Sequence, residues 1–150
     1  MRKEGVMTKI NNIFIVGNMK DAEDAVAQKE IGVFAVLKCT NARFADGLGE
    51  KKFPFHKEYL NVAIADDGSC PDEGLKQAKS WLSAIEMMAK ARKATALIHS
   101  DTGTGKATRL VVAQTSNWSA SKYDKAMKKM SKETKPMPGL DAALKGMMKK

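Results

Sequence analysis

The stretch from Ala94 to Ala113, ATALIHSDTGTGKATRLVVA, constrains this 150-residue chain more than any other. Thr95-Ala96-Leu97-Ile98 is a short apolar, partly β-branched run of the kind that forms a buried strand. A polar loop with Gly103 and Gly105 follows, and Lys106-Ala107-Thr108-Arg109-Leu110-Val111-Val112 can open a helix. Strand, glycine-bearing loop and helix N-terminus together make an anion cradle. N–H groups left over by the first helical turn point into the loop, and the helix dipole adds partial positive charge. Glycines let the backbone curl around a phosphate with no Cβ in the way.

Three readings of the loop compete. A Walker A loop needs Gly, four residues, then Gly-Lys-Ser/Thr; here Ser100 stands at the first Gly, and Ala107 replaces the hydroxyl that would hold magnesium. An ordinary strand-to-helix turn, glycine-rich for geometry alone, also accounts for the residues. The third reading is a resemblance. His99-Ser100-Asp101-Thr102-Gly103-Thr104-Gly105-Lys106-Ala107-Thr108 resembles the phosphate loop of the dual-specificity phosphatases, whose signature is His-Cys, five residues, then Arg-Ser/Thr, with a Gly three after the Cys. His99 and Gly103 match in place. Ser100 stands where the nucleophilic Cys belongs, Lys106 where the Arg belongs, and Ala107 where the hydroxyl residue would be.

The rest of the chain extends that likeness. Ile10 to Val16 reads as a first strand ended by Gly17-Asn18, Asp21 to Glu30 as a short helix with acids in its first turn, and Val33 to Leu37 as a second buried strand. Cys39, near that strand's end, reads as a small core residue. Asn41 to Lys57 is loop-like, with Phe53 and Phe55 expected to tuck under it. Tyr59 to Ala65 alternates as a strand and leads to Asp66-Asp67-Gly68. The resemblance places the general acid there, at Asp66 or Asp67, while an Asp-Gly turn with a capping role fits the same residues. Pro71 to Ala91 is the clearest helix, with Leu75, Ala78, Leu82, Ile85 and Ala89 as its core stripe and Met88 beside it. After the loop, Thr104 to Asn117 is expected as a buried helix with Ala107, Leu110, Val111 and Gln114 inside. Ser121 to Met130 is a second, amphipathic helix. A Pro/Gly break over Thr134 to Leu140 precedes a last helix, Asp141 to Met148. The resemblance therefore implies a single-domain α/β fold over residues 1–150, its core about 10–148. A central sheet flanked by helices would carry the phosphate loop between strand and helix.

Charge is uneven. From Ser116 onward nine lysines stand against three acids, so this segment supplies +6 of the formal +9. Such a face attracts an acidic protein, RNA or an inositol lipid, or is simply a solvated helical surface. Met127, Met130, Met137, Met147 and Met148 read as packing residues. Cys39 and Cys70 form no CxxC and match no zinc spacing, which suits a reducing, cytoplasmic setting. Met1 to Lys9 has charge without a following apolar signal region, and no run approaches the roughly 18 apolar residues of a transmembrane span. No metal or cofactor is expected.

The resemblance assigns Ser100 the nucleophile position, Asp101, Thr102, Gly103, Thr104, Gly105 and Lys106 the phosphate, and His99 the ordering of the loop. Serine and lysine there weaken chemistry more than binding, so the sequence predicts a pseudophosphatase that holds a phosphorylated protein or other anion. An active phosphatase represented by a Cys-to-Ser trapped form is the alternative. A basic scaffold or ribonucleoprotein subunit using the fold structurally is a third.

Overall fold

The computed structural model describes residues 8–40, 58–65, 69, 73–100, 105–130, 134 and 136–148. The strand expected from the organising stretch is β5 (Thr95–His99), and it lies at the centre of a five-stranded sheet. Its neighbours are β2 (Phe14–Gly17) on one side and β3 (Val33–Lys38) on the other, both parallel to it. Beyond β3 runs β4 (Glu58–Asn61), also parallel; beyond β2 runs β1 (Thr8–Lys9), antiparallel. A strand covered on both faces reads as continuous apolar sequence, which is why Ala96, Leu97 and Ile98 are fully buried.

The two faces of the sheet carry different loads. Phe14, Val16, Ala35, Leu37, Ala96 and Ile98 join the main core, and Ile15, Val33, Val36 and Leu97 form a smaller cluster on the alternate positions. The main core is completed by four helices: α3 (Gly74–Arg92), α4 (Lys106–Thr115), α5 (Ala120–Lys129) and α6 (Pro138–Lys145). Two short helices, α1 (Met19–Glu23) and α2 (Ala25–Ile31), pack against β2, β5 and β3.

The α3 stripe is the expected one: Leu75, Ala78, Leu82, Ile85 and Ala89 are all buried. In α4, Ala107, Leu110, Val111 and Gln114 are inside. Gln114 is satisfied there, donating to Glu86 Oε1 at 3.0 Å and accepting from Trp118 Nε1 at 2.9 Å. The five methionines expected to pack do so, Met137 buried and the others partly buried against the core.

Several boundaries differ from expectation. The first strand begins at Phe14, because Asn11 Oδ1 accepts from the N–H groups of Ile13 and Phe14 and turns the chain back to pair β1, which the pattern did not reveal. The helix expected over Asp21 to Glu30 is two, since Asp24 leaves helical geometry and caps α2 through Ala27 N–H at 2.9 Å. The strand expected to reach Ala65 stops at Asn61. Helix α3 starts at Gly74 after Glu73, whose left-handed φ of 55° breaks the turn; Pro71 lies outside the described residues, as do Phe53 and Phe55. Pro138, Gly139 and Leu140 belong to α6 rather than to a break before it, Pro138 occupying a first-turn site where its missing N–H costs nothing. Helices α4 and α5 run 106–115 and 120–129, each one or two residues from the expected ends.

Gly17 ends β2 against a capping box in which Asp21 N–H donates to Asn18 Oδ1 and Asn18 N–H to Asp21 Oδ2. A Cβ on Gly17 would lie 2.6 Å from Asp21 Oδ2. Gly17→Ala is therefore expected to lower unfolding free energy by about 1–3 kcal/mol, read as a reduced denaturant midpoint at unchanged m-value. An unshifted midpoint would show that the box is not held against the strand.

Candidate anion-binding site

Register brings the carboxyl ends of four strands to one level. Gly17 pairs with His99, His99 with Lys38, and Lys38 with Asn61. In open parallel sheets this edge is where ligands bind. The chain just beyond it is stitched across the strands. Ser100 N–H donates to Gly17 O at 3.3 Å, Cys39 N–H to His99 O at 2.9 Å, and Val62 N–H to Lys38 O at 2.8 Å. Asn61 Nδ2 adds bonds to Lys38 O at 2.9 Å and Thr40 O at 3.3 Å. Ser100 is thereby fixed between the ends of β2 and β3, with Cys39 as its neighbour across the sheet.

Each expected site residue can now be placed. His99 is fully buried as the last residue of β5, on the same face as Leu97. Ser100 is 4% exposed. Asp101, Thr102, Gly103 and Thr104 lie outside the described residues. Gly105 is the N-cap of α4, and Lys106, half-buried, is its first residue. Asp66 and Asp67 also lie outside the described residues. The ends of their loop are closed by Ala65 N–H to Ser69 O at 2.9 Å, and Val62 and Ile64 are buried. That segment leaves β4 at the carboxyl edge of the sheet, as Ser100 leaves β5.

Helix α4 presents its N-terminus without a side-chain cap, since glycine has none to offer. The first intrahelical bond is Arg109 N–H to Gly105 O at 3.1 Å. The N–H groups of Lys106, Ala107 and Thr108 precede it and face the loop end. The helix carries no acid in its first turn to oppose an incoming anion. A Cβ on Gly105 would lie 2.5 Å from Met137 Sδ, so α6 packs directly on the end of the loop.

Residues that loop-based reasoning overlooked hold this end in place. Arg109, 3% exposed, donates from Nε to Asp141 Oδ1 at 2.8 Å and from Nη1 to Gly105 O at 3.4 Å. Tyr123 OH donates to the same Asp141 oxygen. One carboxylate thus ties α4, α5 and α6 to the last residue of the loop. Burial, then the Asp141 hydrogen bond and charge, hold the Tyr123 proton well above the ordinary phenol range, with the Arg109 charge opposing. A cation inside the apolar run Ala107 to Ala113 was the available signal, because a buried guanidinium requires an acidic partner.

The Cys39 thiol lies under this edge. Burial raises its pKa from 9.0 to about 12, and the Lys106 ammonium acts more weakly in the opposite sense. A shallow groove of about 580 Å³ between β4 and α3, lined by Leu60, Glu73, Lys76, Gln77, Ser80 and Trp81, shares no residue with this site.

The five-stranded sheet flanked by helices is the fold of the dual-specificity phosphatases. Human DUSP28 superposes with a TM-score of 0.70 at 16% identity, over 95% of this chain and 92% of that one. Human tyrosine phosphatase-like serine/threonine/tyrosine-interacting protein gives 0.70 at 16%, over 97% and 96%. DUSP15 gives 0.65 at 20%, over 94% and 86%. At these identities the likeness is one of fold. No protein-family model matches the chain. No curated protein matches it in sequence.

A thiol whose pKa is raised on folding favours the neutral form. Its contribution to stability is whole below about pH 9 and is lost as pH rises toward about 12. In a Cys70→Ser background, Cys39 is expected to resist a disulfide reagent at pH 8 until denaturant is added. Rapid modification of the native chain would place the thiol in solvent.

Proposed function

We propose that this chain is a catalytically impaired phosphatase-fold protein that binds a phosphorylated protein through residues 100–106. The observation that carries the reading is Ser100, pinned at the carboxyl edge of the central strand just before α4, where the resemblance puts a reactive cysteine. Backbone N–H groups and a helix dipole can lower a thiol pKa from about 8.5 into the physiological range. A hydroxyl is far less acidic, and the same field leaves it protonated and a poor nucleophile. The resemblance gives His99 the ordering of the loop rather than the part of a base, and it is fully buried as the last residue of β5.

Lys106 removes a second catalytic element. An arginine fork meets two oxygens of the transferring phosphoryl group at once; an ammonium is a point charge. Charge on the equatorial oxygens must be met by positioned donors for transfer to proceed. Holding a phosphate dianion asks less: a cation and N–H groups suffice. Removing a hydrolase nucleophile costs on the order of a million-fold in turnover, while the loop's attraction for anions is retained. One structural neighbour bears the name of a phosphatase-like interacting protein, in keeping with this use of the fold. No helix among the described residues is long and apolar enough to cross a membrane.

The test rebuilds the missing chemistry. The native chain is expected to hydrolyse an aryl phosphate no faster than background. Ser100→Cys, assayed with reductant because Cys39 is the neighbour across the sheet, is expected to give weak turnover. Adding Lys106→Arg should raise it, and Asp66→Asn or Asp67→Asn in that background should lower it and so identify the acid. Vigorous turnover from Ser100→Cys alone would instead mark the chain as a trapped active phosphatase. A silent double variant that also fails to bind phosphate would mark it as a scaffold.

A further inference from the structure

Helix α5 turns two unlike faces outward and inward. Tyr123 is buried and bonded to Asp141, fixing the inner face. Ser121, Lys122, Lys125, Lys128 and Lys129 are exposed. At 100° per residue Lys122, Lys125 and Lys129 fall in one row, with Lys128 and Ser121 along its side. The only acid of the helix, Asp124, is taken by Lys145 of α6. Among the described residues no carboxylate pairs with these four lysines.

Not every lysine of the row stands where a helix favours a cation. Lys128 and Lys129 suit the C-terminal end of the helix dipole, but Lys122 sits in the first turn, where a cation opposes it. Lys125 lies three or four residues from each of the others, so the row is a set of repelling neighbours. An anion laid along it relieves that repulsion.

We infer that this face of α5 binds an acidic, extended segment of a protein partner, a contact separate from the loop anion. The row spans roughly 10 Å at 1.5 Å per residue, the length of three to four residues of extended chain. Lysines are flexible point charges that follow irregularly spaced carboxylates. The outer face of α5 has no arginine to fork a phosphate and no exposed aromatic on which a base could stack. It also offers no apolar row to enter a bilayer, since Met127 packs inward against the core.

The experiment uses the whole chain and a fluorescent, unphosphorylated peptide containing six consecutive glutamates. Lys122→Glu/Lys125→Glu/Lys129→Glu is expected to weaken binding at least tenfold at 50 mM salt. A matching triple change to Gln should give a smaller loss with an unaltered circular dichroism melt. Lys106→Ala should bind the peptide as the native chain does, so failure of the loop reading leaves this result intact. Equal affinity of native and triple variants overturns the inference. So does tighter, row-dependent binding of a 15-nucleotide oligouridine or of phosphatidylserine vesicles, which would assign the face to nucleic acid or membrane.

Discussion

The burial of β5 between two parallel neighbours governs what the rest of the molecule can do. Its backbone is consumed by ladders to β2 on one side and β3 on the other. The chain can therefore leave only at the carboxyl edge, at Ser100. Helix α4 must then fall back across the main face, and every residue from Ala107 to Gln114 is buried there. The loop between is short, so its ends are set by the sheet and the helix before any ligand arrives. Fixed ends of this kind hold Ser100 and the N-terminus of α4 in one arrangement.

The same burial explains the supporting ion pair. Arg109 is buried, so an uncompensated charge there would cost several kcal/mol, on the order of the 3–5 kcal/mol lost when a buried pair is broken. Asp141 answers it, and because Asp141 belongs to α6 the compensation also fixes where the C-terminal helices sit. Tyr123 shares the carboxylate, and α5 is oriented with it. The electrostatic need of one residue in the first turns of α4 thus positions two helices and the lysine row that α5 carries.

Much of this was legible in the sequence because it rested on periodicity. The α3 stripe, the inner face of α4 and the apolar run of β5 follow from burial alone, and burial is written in residue type. What escaped rested on single hydrogen bonds. Asn11 folds the chain into an extra edge strand, Asp24 splits a helix in two, and Glu73 delays α3; none of these changes the apolar pattern. At the site, Ser100 and Lys106 were found through resemblance, while Arg109, Tyr123 and Asp141 emerge only when elements distant in sequence are brought together. The two acid candidates and the middle of the loop lie outside the described residues, so their roles rest on the likeness of Asp66, Asp67 and residues 101–104 to a phosphatase pattern.

The central claim is that the loop binds phosphate without breaking the ester. The most direct measurement is calorimetric titration of the native chain with a phosphotyrosine peptide, followed by phosphorus NMR of the same mixture over a day. The expected result is saturable binding that is lost with the unphosphorylated peptide and weakened by Lys106→Ala, while the phosphomonoester signal stays constant. Growth of an inorganic phosphate signal above that of peptide alone, or heats indifferent to the phosphate, would contradict it.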